Sequence, residues 1–244
     1  MKLMLAMALV LSSMAAQAAE LQVIAGGGFA GPLNLLVAQF EASSGHKVVL
    51  RYGTAPELID IARTTPFDFA VTPAEVFKDA DAAAKLPPGP MATIARVGLG
   101  VAVPAGAPKP DISTPDAFKK ALLSARSVAT LPASAAGAQV MKLFEELGVS
   151  AELKPKLVAA TGPANLVESL VAKKAEIGVF LINVLTANGL DVVGPVPAAL
   201  NREVTYVAGV ASDAKQAEIA KAFLAFLQSP TAKAVIKAHG LTPS

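Results

Sequence analysis

Apolar positions recur along this chain in two alternating rhythms. Leu21–Ile24 is a short apolar run that stops at Gly26-Gly27-Gly28, which predicts a strand running into a turn. Leu33, Leu36, Val37 and Phe40 then fall at i, i+3, i+4 and i+7, one face of a helix that Pro32 can open and Gly45 can end. Lys47–Tyr52 predicts a second strand, Gly53-Thr54-Ala55-Pro56 a break, Glu57–Arg63 a short helix and Phe67–Val71 a third strand. Pro87-Pro88-Gly89-Pro90 reads as a rigid surface loop, and Gly98–Val103 as a further strand closed by the proline-rich stretch that begins at Pro104.

The second half repeats the pattern. Asp116–Ser124 predicts a helix capped by Ser113 or Thr114, and Ser127–Leu131 a strand. A small-residue turn from Ala133 to Gly137 leads to a helix with Val140, Leu143, Phe144 and Leu147 on one face. Leu157–Ala160, Glu176–Ile182 and Val204–Ala211 read as strands, and Val192-Val193-Gly194-Pro195 ends another. Asn165–Lys173, Gln216–Leu227 and Pro230–His239 read as helices. Strand–helix alternation of this kind implies a mostly parallel α/β arrangement.

The start of the chain breaks the rhythm. Lys2, the apolar run Leu3–Leu11 and the small residues ending in Ala16-Gln17-Ala18 form the pattern of a secretory signal peptide over residues 1–18. The run is too short to span a bilayer, which takes about 20 residues. Removing it takes away one basic residue and leaves a net charge of +1, with no basic run, so nucleic-acid binding has no electrostatic footprint. With 53% hydrophobic residues a sizeable core can form, and with no cysteine neither a disulfide nor a thiolate metal site can. His46 and His239 are far apart, without a neighbouring acidic cluster, so no metal site and no cofactor is expected.

Chemistry points to helix starts rather than to reactive side chains. Gly26–Gly31, Gly53–Pro56, Ser134–Gly137 and Thr161–Pro163 each put small or hydroxyl residues where a strand hands over to a helix. The first N–H groups of a helix lack internal partners, the helix dipole adds positive charge there, and glycine lets an anion approach. In open α/β sheets such joints lie at the carboxyl ends of the strands, where ligands bind. The glycine run lacks the dinucleotide G-x-G-x-x-G spacing, and no Walker motif, G-x-S-x-G elbow or Ser–His–Asp set is present, so no catalytic residue is assigned. Asp68, between Phe67 and Phe69, reads as structural. Arg51 and Arg96, at a strand end and a strand start, could each clamp a carboxylate bidentately or simply face solvent.

From Leu21 onward the chain resembles the type II periplasmic solute-binding proteins, specifically the molybdate-binding-protein family. The resemblance is carried by the opening strand and turn, by Phe40–Val48, Phe67–Val71 and Val101–Pro108, and by the closing Ala220–Pro230. It implies a two-lobed α/β fold with a cleft between lobes: lobe one over residues 20–100 and 206–244, lobe two over 101–205. It further implies a monomer in the periplasm that holds a small anion and delivers it to an ABC transporter permease. Where the family offers a first-turn serine, paired serines in the second turn and a late tyrosine, this chain has Gly28, Thr54-Ala55 and Leu181. The Gly27-Gly28-Phe29 opening is closer to a sub-branch that includes a periplasmic aconitate isomerase, which makes isomerisation in the same cleft the alternative. The expected ligand is a molybdate-like oxyanion or a small carboxylate. Its expected contacts are the backbone N–H groups of Gly27, Gly28 and Phe29, then Thr54, Ser134 and Ala135, with Arg51 or Arg96 supplying a full charge to a carboxylate.

Overall fold

The computed structural model describes residues 19–85 and 91–244; the expected signal peptide over residues 1–18 and the expected Pro87–Pro90 loop lie outside the described residues. The first elements are β1 (Glu20–Gly26), a 3-10 turn (Gly27–Phe29), α1 (Ala30–Ser44), β2 (Lys47–Gly53), α2 (Ala55–Thr64) and β3 (Phe69–Pro73). After a second 3-10 turn at Ala74–Lys78 come α3 (Ala80–Ala84) and a long strand, β4 (Ala92–Pro104). The middle of the chain forms α4 (Pro115–Ser124), β5 (Val128–Thr130), α5 (Ala135–Glu146), α6 (Ser150–Leu153), β6 (Leu157–Ala159) and α7 (Pro163–Val171). It continues through β7 (Ile177–Leu181), α8 (Ile182–Leu185) and β8 (Leu190–Pro195). The return is β9 (Glu203–Val210), followed by α9 (Ala217–Leu227), α10 (Pro230–Ala238) and β10 (Thr242–Pro243).

Strand order is β2-β1-β3-β9-β4-β7-β5-β6, with β8 and β10 also paired to β4. Two halves meet on β4. Its first half, through Gly98, pairs with β9, while Leu99–Ala102 pair with β7 and Gly100–Pro104 with β8. The expectation of a mostly parallel sheet therefore needs correction. Pairing is parallel at the flanks, among β1, β2 and β3 and among β5, β6 and β7, but every contact of β4 and β9 with their neighbours is antiparallel. The reason is chain direction: β4 carries the chain out of the first half and β9 carries it back.

Local signals explain the helices. Gly45 ends α1 in the left-handed conformation, φ 73°, and donates its N–H to Glu41. Thr114, rather than Ser113, caps α4 by accepting from the Ala117 N–H at 3.1 Å. On α1, Leu33, Leu36 and Phe40 are buried, and the Phe40 ring packs 4.9 Å from Phe223 of α9, which in turn lies 5.2 Å from Phe69. Each such ring removed from water contributes about 1.5–3 kcal/mol. Asp68 is 4% exposed; one carboxylate oxygen accepts from Gln22 N at 2.9 Å and the other from Lys215 N and Gln216 N at 2.7 and 3.0 Å. It ties β1 to the start of α9, a structural duty.

Candidate functional site

Where β1, β2, β5 and β7 end, their carboxyl ends surround a cavity of about 240 Å³. That is below the range of about 300–1,000 Å³ usual for drug-sized ligands, a volume that suits a small molecule. Four helix starts open onto it. The turn at Gly27–Phe29 leads into α1, Thr54 precedes α2, Ser134 precedes α5 and Gly162 precedes α7. The first two come from one half of the molecule and the last two from the other. Gly27 approaches so close to the opposite side that a Cβ there would lie 3.3 Å from Pro163 Cγ.

Most side-chain hydroxyls of the lining are already committed. Thr54 donates both its N–H, at 2.7 Å, and its hydroxyl, at 2.8 Å, to Glu57 Oε2. Those bonds hold the Glu57 carboxyl below its ordinary range. Ser134 Oγ accepts from Gly137 N at 2.9 Å and donates to the Leu131 carbonyl at 2.9 Å. Tyr52 donates to Asn34 Oδ1 at 2.7 Å, and burial pushes its phenol up to about 12. Tyr206 is different: it is 2% exposed, lines the cavity, and finds no hydrogen-bond partner for its hydroxyl among the described residues. Burial and the Glu75 carboxylate both push that phenol far up.

Charge is sparse. Glu57 is the only ionisable acid or base among the described lining besides the two phenols. Among the described residues no three His, Asp or Glu side chains gather as a metal site, and no helix is long and apolar enough to cross a membrane.

Of the residues expected from sequence, Gly27, Gly28, Thr54, Ser134 and Ala135 line the cavity. Phe29 is fully buried, its ring 5.1 Å from Tyr206, so only its backbone belongs to the turn. Arg51 and Arg96 stand outside the lining. On β2 the cavity-facing residue is Tyr52, and strand alternation turns its neighbour Arg51 away, where its guanidinium donates to Gln22 Oε1 at 3.4 Å. Arg96 is exposed on β4 between buried Ala95 and Val97, opposite Thr205 and Thr242. The cationic clamp expected from one of them is therefore not in the cavity.

Tyr206, Tyr52 and Leu181 are lining residues that sequence reasoning missed as contacts. The nearest signal was the glycine run itself. A Cβ at Gly26 would meet Pro73 Cδ at 2.8 Å and Tyr206 Cε1 at 3.1 Å, and one at Gly28 would meet the Tyr206 oxygen at 2.4 Å and Leu181 Cδ1 at 2.5 Å. Two of the three glycines thus make room for one phenol as well as for a ligand.

With this geometry in hand, comparison with known proteins decides the family. A model of the bacterial extracellular solute-binding proteins matches residues 21–242. The chain belongs to that family. This solute-binding protein is 33% identical over 234 residues to an aconitate isomerase of a Pseudomonas species, covering 91% of this chain and 87% of the relative. It is 28% identical over 249 residues to the molybdate-binding protein ModA of Azotobacter vinelandii, covering 98% and 96%. Among solved structures, the periplasmic molybdate-binding protein of Azotobacter vinelandii superposes with a TM-score of 0.71 at 23% identity, over 91% of this chain and 98% of that one. That superposition identifies the fold as the two-lobed α/β arrangement of periplasmic binding proteins.

Proposed function

We propose that this solute-binding protein is a periplasmic receptor which holds a small oxyanion in the cleft and delivers it to an ABC permease. The carrying observation is the convergence of four helix N-termini on a cavity that no Lys, Arg or His side chain among the described residues lines. A helix start offers unpaired N–H groups and a partial positive charge of about half a unit, although at α2 the Glu57 carboxylate already takes the Thr54 N–H. Backbone donors distributed around a small cavity suit a compact, symmetrical anion, whereas a flexible multi-carboxylate needs a fixed cationic clamp. In this reading residues 20–100 with 206–244 form one lobe and 101–205 the other. Ligand binding then stabilises their closure through the N–H groups of Gly27, Gly28 and Phe29 on one side and Ala135 on the other.

The alternative is isomerisation of the aconitate type, which the 33% identity to an aconitate isomerase favours. Proton transfer beside a carboxylate needs a positioned general base. Asp68 is spent on three backbone N–H groups, Glu57 on the start of α2, and Glu176 on Arg126. Glu75, whose Oε2 is buried without a partner and whose charge acts on Tyr206, stands outside the cavity lining, so no uncommitted carboxylate faces the cleft among the described residues. The receptor reading is therefore preferred.

A thermal-shift screen of molybdate, tungstate, sulfate, phosphate, citrate and aconitate tests it. A ligand at 100 times its Kd that binds only the folded state adds about 2.7 kcal/mol, which for a chain of this size is a rise of about 5–11 °C. A shift with a tetrahedral oxyanion supports the receptor. A shift with aconitate alone, together with interconversion of its cis and trans forms followed by NMR, establishes the alternative.

A further inference from the structure

We infer that Tyr206 is the side chain that reads the ligand, donating its phenolic hydrogen to an anion oxygen on the floor of the cleft. The inference rests on the anion-receptor reading and deepens it. Three observations carry it. The Tyr206 side chain is 2% exposed yet forms part of the cavity wall, so its oxygen has the cleft and not bulk water before it. Its hydroxyl has no protein partner among the described residues, while the hydroxyls of Tyr52, Thr54 and Ser134 donate to Asn34, Glu57 and Leu131. Thr161, the other lining hydroxyl, is exposed at the rim. A hydroxyl that faces the cleft with no protein partner is free to donate to a ligand oxygen in exchange for the water it holds there.

Gly28 completes the arrangement. The space its Cβ would fill is held by the Tyr206 oxygen, 2.4 Å away, so the phenol sits directly behind the turn whose N–H groups face the ligand. Phe29, its ring 5.1 Å from that of Tyr206, fixes the phenol from the core side. Burial and the Glu75 charge keep the proton on the oxygen, so Tyr206 presents a donor rather than a second negative charge. Rigid, pre-placed and neutral, it adds direction to a site whose other donors are main-chain N–H groups. Such a donor favours ligands with an unprotonated oxygen at that point.

Calorimetric titration with molybdate and sulfate, on the wild type and on Tyr206→Phe, tests the assignment. The variant keeps the ring on Phe29 and loses only the oxygen, so its melting temperature without ligand checks folding. A hydrogen bond to a charged group predicts affinity weaker by about 10- to 100-fold. Gly28→Ala should also weaken binding by displacing the oxygen. Because both changes act through one hydroxyl, the double variant should lose less than the product of the two. The chain has two tyrosines and no tryptophan, so Tyr52→Phe leaves Tyr206 as its only tyrosine, and anion binding should change its emission. An anion bound equally by wild type and Tyr206→Phe, or tyrosine emission indifferent to a bound anion in Tyr52→Phe, overturns the role of Tyr206 and leaves the receptor reading intact. No binding of either anion, nor of any other in the thermal screen, to the wild type overturns both.

Discussion

Gly137→Ala is the sharpest structural test of how the cleft is built. Gly137 is the third residue of α5, and a Cβ there would lie 1.7 Å from the Leu131 carbonyl oxygen and 2.9 Å from Pro132 Cα. Both are backbone atoms, so no rotamer change relieves the contact and the first turn of α5 must move. The Leu131 oxygen also accepts from Ser134 N at 3.1 Å and Ser134 Oγ at 2.9 Å, and Ser134 Oγ accepts from Gly137 N. The methyl therefore strikes the cap itself. Overpacking costs about 1–3 kcal/mol, and loss of an N-cap about 1 more. The usual helix gain from Gly→Ala returns about 0.5–1 kcal/mol. The net loss is about 1–3 kcal/mol, or roughly 2–12 °C in melting temperature for a chain of this length. Scanning calorimetry without ligand measures it, and the ligand-induced shift should shrink because the N–H groups of Ala135 and Ala136 move with the turn. Ser134→Ala, which removes the cap without adding bulk, should cost about 1 kcal/mol. A Gly137→Ala protein that melts and binds as the wild type does would show that α5 is not wedged against Leu131 and would refute the reasoning.

Asp68→Ala strands three backbone N–H groups and should cost about 3–5 kcal/mol by urea titration, with Asp68→Asn in between; a loss under about 1 kcal/mol contradicts the clamp. Glu57 has a folded-state pKa below its ordinary 4.5, so its contribution is present above that value and lost as pH falls through the lower one. Glu57→Gln should flatten the fall of melting temperature in acid, and an unchanged slope counts against the cap. Arg51→Ala and Arg96→Ala should leave oxyanion affinity within about twofold, since rim or remote charges act weakly in water; a tenfold loss from either would bring that guanidinium into the site.

The parts of this molecule that depend on neighbours in sequence were legible, and those that depend on distant pairing were not. Gly45, Thr114 and Ser134 announce helix ends because a cap is a bond across three or four residues. The 3.6-residue spacing of Leu33, Leu36 and Phe40 gives α1 and its buried face directly. By contrast, the insertion of β9 between β3 and β4, antiparallel to both, follows from pairs such as Phe69 with Val210 and Gly98 with Glu203, which no local pattern encodes. Period-two alternation shows that Arg51 and Tyr52 face opposite ways, but not which of them faces the cleft. Tyr206 was invisible for the same reason: its meaning lies in Gly26 and Gly28, which it meets only once β9 has returned beside β3.

On the receptor reading, Gly27 and Gly28 also explain how the cleft would recognise an anion without a basic side chain among its described lining residues. A helix dipole falls off within its first turn, so a ligand must touch the backbone to profit from it. At Gly27 and Gly28 nothing but main chain stands between solvent and those N–H groups, and at α5 and α7 the facing residues are Ala135 and Gly162. Adding an arginine would supply a longer-range attraction but would also fill a cavity of about 240 Å³. The arrangement therefore favours shape over charge. An anion compact enough to reach both halves at once gains every donor together, and one too large to allow that approach gains only half of them.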